Sequence, residues 1–263
     1  MIFTKRGTQI DDYPAIKKHL LQFYDELKPK ETKEDKIGRK AGNYEWFEIQ
    51  DSIEYYKTFE KPKILYIHTA KNHYFFYDKE GFFINNSSYL ISNADLFLSV
   101  FLNSKVFEFY KRLKFVAYGN ANEKGRNKLD YNKMVEVPVP VLSDSEKAIF
   151  EKKAKQLQIW SESVNKNNQK FSKLIQAEFS ISKLSKKLVS WYKLDFAGFQ
   201  SEINKQKAVF STKQKLEWIE IFESEQKTIQ SLLSQIRKTE NELNQLLYDL
   251  YGFTSEEKII LEK

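Results

Sequence analysis

After Pro140 the chain runs to its end without a proline and with only two glycines, Gly198 and Gly252. Proline and glycine are the residues that interrupt helices, so a stretch this poor in both reads as helix. The stretch also repeats every seven residues. Phe150, Leu157, Val164 and Phe171 are each seven apart, with Ala154, Trp160 and Leu174 filling a second position. Phe222, Ile229, Ile236, Leu243 and Leu250 repeat the spacing, with Leu232 and Leu246 alongside. Sustained heptads predict two long helices packed at a small angle, an antiparallel hairpin of coiled-coil type. Between them, Ile175 to Thr212 holds Trp191, Tyr192, Leu194, Phe196 and Phe199. That is too aromatic for a flexible linker, and the segment is expected to pack against the helix pair.

All five prolines lie at or before Pro140, and Gly38, Gly42, Gly81 and Gly119 separate apolar runs. This part reads as mixed. Ile16, Leu20, Phe23 and Leu27 are spaced as on one face of a helix from Tyr13 to Leu27. Trp46 to Ile49 is a short strand candidate, and Asp51 is a candidate cap for a helix reaching Phe59. Lys63 to His68 reads as a buried strand. Tyr74 to Tyr77, a loop from Asp78 to Gly81, and Phe82 to Ile84 read as a β-hairpin. Tyr89 to Ile91 is another strand. A helix opening at Asn93 or Asp95 is predicted to run to about Leu113, with Leu98, Leu102, Val106, Phe109 and Leu113 on one face. The expected fold class is therefore α+β: a mixed domain over 1–142, then a helical support domain over 143–263.

Composition excludes several function classes. With 21 Phe, 15 Tyr and 4 Trp, the chain cannot be wholly disordered. No cysteine is present, so disulfides and thiolate metal sites are out, and a reducing, cytoplasmic setting is expected. Mean hydropathy is −0.60, and no apolar run approaches the roughly 18 residues of a membrane span. Met1 to Arg6 lacks the apolar core of a signal peptide. There is no GxGxxG, no GxxxxGK[ST] and no Asn-Pro-Pro-aromatic motif, so no nucleotide or methyl-donor site is expected in this chain. The histidines are only His19, His68 and His73. His68 and His73, five apart, fall on opposite faces of a strand, and a metal centre is not expected. Acidic-x-Lys triplets occur six times, close to the roughly five that composition alone produces, so they do not mark a nuclease. No Gly-x-Ser-x-Gly elbow exists. No catalytic residue is assigned.

The net charge is +7, which permits a polyanionic partner. From Asn103 to Lys133 eight basic residues meet three acidic ones, and Tyr110, Phe115, Tyr118 and Tyr131 lie among them. Lys105, Lys111, Arg112, Lys114 and Lys133 are candidates for phosphate contact. The loop between Gly119 and Lys128 concentrates the side chains that read base edges, and Asn120, Asn122, Lys124, Arg126, Asn127 and Lys128 are candidates for that role. Arg39, Asn43 and Tyr44, in a second basic, glycine-bearing stretch, form a further candidate set. The same residues also fit a solvated helix end with a polar loop, and an ordinary charged surface loop.

Six segments occur in a familiar order: Tyr13-Pro14-Ala15-Ile16-Lys17, Trp46-Phe47-Glu48-Ile49-Gln50, Phe59-Glu60-Lys61-Pro62-Lys63-Ile64, Asp78 to Gly81 leading into Phe83-Ile84-Asn85, Leu102-Asn103-Ser104-Lys105-Val106-Phe107, and Val137-Pro138-Val139-Pro140. Together with the ending from Leu247 to Glu257, they resemble the TaqI-like C-terminal specificity domain of adenine DNA methyltransferases and type IIG restriction-modification enzymes. The resemblance implies a target-recognition domain for double-stranded DNA. It also implies a catalytic domain, carrying the Asn-Pro-Pro-Tyr motif, ahead of this region in the same chain or in a partner subunit. The chain thus reads as a fragment, as expressed or as encoded. S-adenosylmethionine, with Mg as a second candidate, would serve that parent enzyme, an adenine-N6 methyltransferase that flips its target base. The helical hairpin also resembles the spacer helices beside specificity domains in type I restriction systems. Two other classes stay open on the residues alone: a module whose helical arm docks a partner subunit, and an RNA binder using exposed aromatics for stacking. No membrane partner is expected.

Overall fold

The computed structural model describes residues 2–51, 53–115, 117–118 and 125–262. The chain packs as two compact units. One is Met1–Pro62 with Lys79–Phe83; the other is Lys63–Asp78 with Ile84–Lys263. The division expected at residue 142 is not where the packing divides, because the helices after it complete a core begun by the strands before it.

The first unit is short in regular structure and is held by polar ties. The helix expected over Tyr13 to Leu27 is two, α1 (Pro14–Leu21) and α2 (Tyr24–Leu27). Neither buries a residue, so no packing holds a longer helix together. Instead of an Asp51-capped α-helix, Glu54–Glu60 forms a 3-10 helix. Trp46 to Ile49 is a turn rather than a strand. The buried Glu48 organises it: its carboxylate accepts the Glu45 N–H at 3.0 Å and the Gly7 N–H at 2.6 Å, with the Arg6 guanidinium 3.5 Å away. Phe83 does not form a strand; its ring stacks on Phe59, centroids 4.7 Å apart at 23°.

The second unit opens with a three-stranded antiparallel sheet of order β3-β1-β4, built from β1 (Lys63–Ile67), β3 (Phe76–Asp78) and β4 (Ser88–Ser92). The expected hairpin is therefore absent: β3 pairs with β1, placing Tyr77 opposite Ile64, and Ile64 opposite Ile91. Those three side chains lie on the core face. On the other face Lys63 stands opposite Asp78, and the two form a fully buried ion pair. A second small sheet joins β2 (Thr69–Ala70), β6 (Arg126–Lys128) and β5 (Ala117–Tyr118) in the order β2-β6-β5.

The helix expected from residue 95 to 113 is broken into α3 (Leu96–Leu102) and α4 (Lys105–Lys114). The cause is Asn103. Its side chain pairs with Phe75 as a neighbouring strand would, accepting the Phe75 N–H at 3.0 Å and donating to the Phe75 carbonyl at 2.9 Å. Ser104 then caps α4 by accepting from the Phe107 N–H. Asp95 caps α3, as expected from its type and position.

A four-residue helix, α5 (Tyr131–Met134), leads to the long helices α6 (Asp144–Glu178) and α9 (Thr212–Tyr251). Each long helix opens with a capping box, Ser143 with Glu146 and Ser211 with Gln214. Lys153 pairs with Glu242, and Gln214 bonds Glu178, so residue numbers rise on α6 as they fall on α9: the pair is antiparallel. The heptad residues Phe150, Val164, Phe171, Phe222, Ile229 and Leu243 are buried, whereas Leu174 and Leu250 are exposed.

Two cores lie along this hairpin. The first gathers Ile64, Tyr66, Phe97, Phe101 and Phe107 against Phe150, Leu247, Tyr248 and Leu261. The second, at the far end, packs Phe171 and Trp218 around the connecting segment, which contains α7 (Lys186–Val189) and α8 (Phe196–Lys205). Trp191 and Phe199 from that segment are fully buried, as the aromatic content of 175–212 predicts. The chain's ending closes the first core. Gly252, at φ +64°, ends α9, Thr254 and Glu257 cap α10 (Ser255–Glu262), and Tyr248 donates to Glu262 at 2.7 Å.

Candidate nucleic-acid interface

The basic stretch identified in the sequence becomes α4, the β5–β6 ribbon and α5. Helical geometry sorts its cations. Val106, Phe107 and Lys111 fall on the buried side of α4, whereas Lys105 and Arg112, seven residues apart, share an exposed line. Lys111 is only 1% exposed, with its ammonium 2.5 Å from the half-exposed Glu108 carboxylate. Its expected role at phosphates is therefore corrected: the charge is turned inward and neutralised. Beside it sits His73, whose two ring nitrogens are buried. Burial first, then the Lys111 charge, lowers the His73 pKa and keeps the ring neutral.

The other cations face solvent around the C-terminal end of α4. Lys114 is exposed, and its carbonyl accepts from Lys133 Nζ at 2.8 Å, a cation placed at the negative end of the helix. The Arg112 guanidinium lies 5.9 Å from the Phe109 ring. Asn127 Nδ2 reaches the Phe115 carbonyl at 3.5 Å, tying β6 to the end of α4. Successive residues of a strand point to opposite faces. Arg126 and Lys128 therefore point away from Asn127, Arg126 into solvent and Lys128 toward Asp130 at 3.2 Å. Leu129 is fully buried and donates its N–H to His68 at 3.0 Å, anchoring the ribbon. Tyr131, 72% exposed, stands at the start of α5 beside these cations.

The structure thus brings Lys133 to Lys114 at the end of α4 and ties β6 there through Asn127, with Arg126 and Lys128 on the opposite face of β6 and Arg112 and Lys105 exposed along α4. Asn120, Asn122 and Lys124 lie outside the described residues. Arg39, Asn43 and Tyr44 belong to the other unit, where two of them are structural. Arg39 donates to the Leu27 carbonyl and, at 2.9 Å, to the Trp46 carbonyl. Tyr44 is buried, with Arg6 and Arg39 at 5.0 and 4.9 Å from its ring centre. Only Asn43 of the three is exposed and free of such ties. Among the described residues, no group of three His, Asp or Glu is placed to hold a metal, and no helix is long and apolar enough to cross a membrane.

The quoted sequence segments have structural work. Glu48 pins the first unit's turns, Asn103 and Ser104 form the break between α3 and α4, and the segment ending at Glu257 closes the first core. The last two hold α4 in place within the second unit. The comparisons agree with that order of pieces. A family described as a domain of unknown function (DUF8810) matches residues 143–247. No curated protein and no solved structure matches the chain. The family described as the TaqI-like C-terminal specificity domain matches residues 6–139, half of the chain, and the chain belongs to that family.

Proposed function

We propose that this protein reads a specific sequence in double-stranded DNA through the β5–β6 ribbon and α4, as the specificity part of a restriction-modification system. Family membership supports the specificity role. The observation that carries the assignment is the exposure of Arg112 and Lys114 on the last turns of α4 and of Arg126 on β6, the strand tied to that helix end through Asn127, with the exposed Tyr131 following on α5. Arg126 is exposed on the central strand of the β2-β6-β5 sheet, and in the major groove an arginine can bond guanine O6 and N7 together. Arg112, Lys114 and Lys105 have the exposure that phosphate contacts require, and such contacts set register without carrying sequence. Tyr131 is an amphipathic ring available to pack against sugar or an unstacked base.

The methyl transfer to adenine N6 would belong to a catalytic domain in cis or on a partner subunit, and S-adenosylmethionine, with Mg if required, would bind there. The test is selection from a randomised duplex pool by the wild-type chain and by Arg126→Ala. The wild type should enrich a defined sequence. Arg126→Ala should lose about 1–3 kcal/mol, chiefly against that sequence. Equal affinity of both proteins for every duplex would overturn the assignment of readout to the ribbon.

A further inference from the structure

The far end of the helical hairpin carries a second concentration of charge. Residues 166–207 hold nine lysines, no arginine, and only Glu178, Asp195 and Glu202 as acids, a net +6 in a chain whose total is +7. All nine lysines are exposed. The three acids are already engaged: Glu178 accepts from Gln214, Asp195 caps α8, and Glu202 takes Lys205 and Lys187 at 2.8 and 3.8 Å. Lys170 reaches Glu225 at 4.0 Å. Among the described residues, Lys166, Lys173, Lys183, Lys186, Lys193 and Lys207 have no carboxylate within that distance.

These lysines lie in two exposed sets at the same end of the hairpin. Lys166, Lys170 and Lys173 are spaced four and three apart, on the side of α6 opposite the buried Val164, Phe171 and Ile175. The connecting segment is bound along α6: Asn168 Nδ2 donates to the Val189 carbonyl at 3.2 Å, and Gln176 Nε2 to the Ser182 carbonyl at 3.1 Å. Those bonds hold the segment carrying Lys183, Lys186 and Lys187 along the flank of α6 between its buried face and that stripe. The outward face of α9 at the same level mixes Lys213 and Lys227 with Glu217, Glu220 and Glu223, and is not part of this surface.

We infer that this lysine surface is a second, sequence-independent contact to the phosphate backbone of the same DNA; the inference rests on the DNA-reading role proposed above. Lysine is a compact point charge suited to phosphate, whereas the planar fork that reads bases is absent here. The large aromatic rings of this end are turned into its core, leaving no stacking platform for bases. Distance sets the geometry. The start of α4 is anchored at Asn244, where the Asn244 side chain accepts the Lys105 N–H at 3.0 Å. From Asn244 to Trp218 is 26 residues of α9, about 39 Å at 1.5 Å per residue. That span equals about 11 base pairs at 3.4 Å each. The lysine end would engage only a duplex extending well past the recognised sequence.

The experiment compares the full chain with Lys166→Gln/Lys173→Gln/Lys183→Gln/Lys186→Gln on a duplex of about 12 base pairs holding the selected sequence and on one of about 40, across a salt series. The wild type should bind the long duplex with a steeper salt dependence than the short one. The variant should lose about 2–4 units of that slope on the long duplex and keep the wild-type affinity on the short one. Circular dichroism melts should coincide, because all four side chains are exposed. Identical slopes on the long duplex for both proteins would overturn the inference, as would equal losses on both duplexes. Long-duplex binding that depends on these lysines, with no binding to the short duplex, would sink the ribbon assignment and leave this inference standing. Binding to neither duplex would sink both.

Discussion

Replacing Glu108 with Gln should destabilise the protein more than replacing Lys111 with Met, although both changes delete the same ion pair. The two partners differ in environment: the Lys111 side chain is 2% exposed and that of Glu108 46%. Removing the carboxylate strands a buried ammonium, whose desolvation is no longer offset. Such stranding typically costs 3–5 kcal/mol. Water reaching the half-exposed side of the site reduces the expected loss to about 2–3 kcal/mol. Removing the lysine instead leaves a carboxylate that water can solvate, and methionine fills the vacated space with an unbranched stem. The expected change is within about 1 kcal/mol of zero. For a unit of this size, each kcal/mol moves the melting temperature by about 2–4 °C. Thermal melts should therefore put Glu108→Gln roughly 4–12 °C below the wild type, with Lys111→Met close to it. Arg112→Gln, one residue on, should melt normally yet lower the salt slope of DNA binding by about one unit, because its charge faces solvent. If Lys111→Met lowers that slope as Arg112→Gln does, or if both pair variants melt alike, the inward placement of Lys111 is wrong.

Two further outcomes follow from other sites. The hydrogen bond from Lys205, then that from Ser185, lower the Glu202 pKa below its ordinary 4.5. A carboxyl with a depressed folded-state pKa adds stability that is present above the unfolded value and is lost as pH falls through the folded one. The lysine end should accordingly weaken below about pH 4.5, read by tryptophan fluorescence of Trp191 and Trp218, and Glu202→Gln should flatten that dependence. Asn103→Ala removes its partnership with both backbone groups of Phe75 and should cost about 1–3 kcal/mol in denaturant unfolding, whereas the neighbouring exposed Lys105→Ala should cost under about 0.5.

The long helices, their antiparallel pairing and the aromatic packing between them were legible in the sequence. Each depends on local periodicity, and a heptad states both the element and its buried side. The strands at Lys63 and Tyr89 and the cap at Asp95 belong to the same class, since a strand's run of apolar residues and a cap's side chain act within a few positions. The segments that mark the family were also readable, although not their work: nothing local says that Glu48 is a buried acceptor or that Asn103 substitutes for a strand.

Tertiary structure alone decided the rest. Whether Tyr74 to Tyr77 pairs with its neighbour or with β1 depends on which partner covers Ile64 and Tyr77, a long-range matter. Composition could not separate Lys111 from Arg112, because charge per residue is blind to the direction a side chain takes around a helix. Arg39 and Tyr44 looked like a solvent-facing basic stretch, and became an interior tie when the Leu27 and Trp46 carbonyls came within reach. The lysines of 166–207 were countable in the sequence, but only the bonds of Asn168 and Gln176 bring the connecting segment's share to the same end of the hairpin as those of α6. The physical reason is common to all four. Periodicity and capping are short-range and survive in one dimension, whereas burial of a charge or union of a surface depends on chain segments brought together by the core.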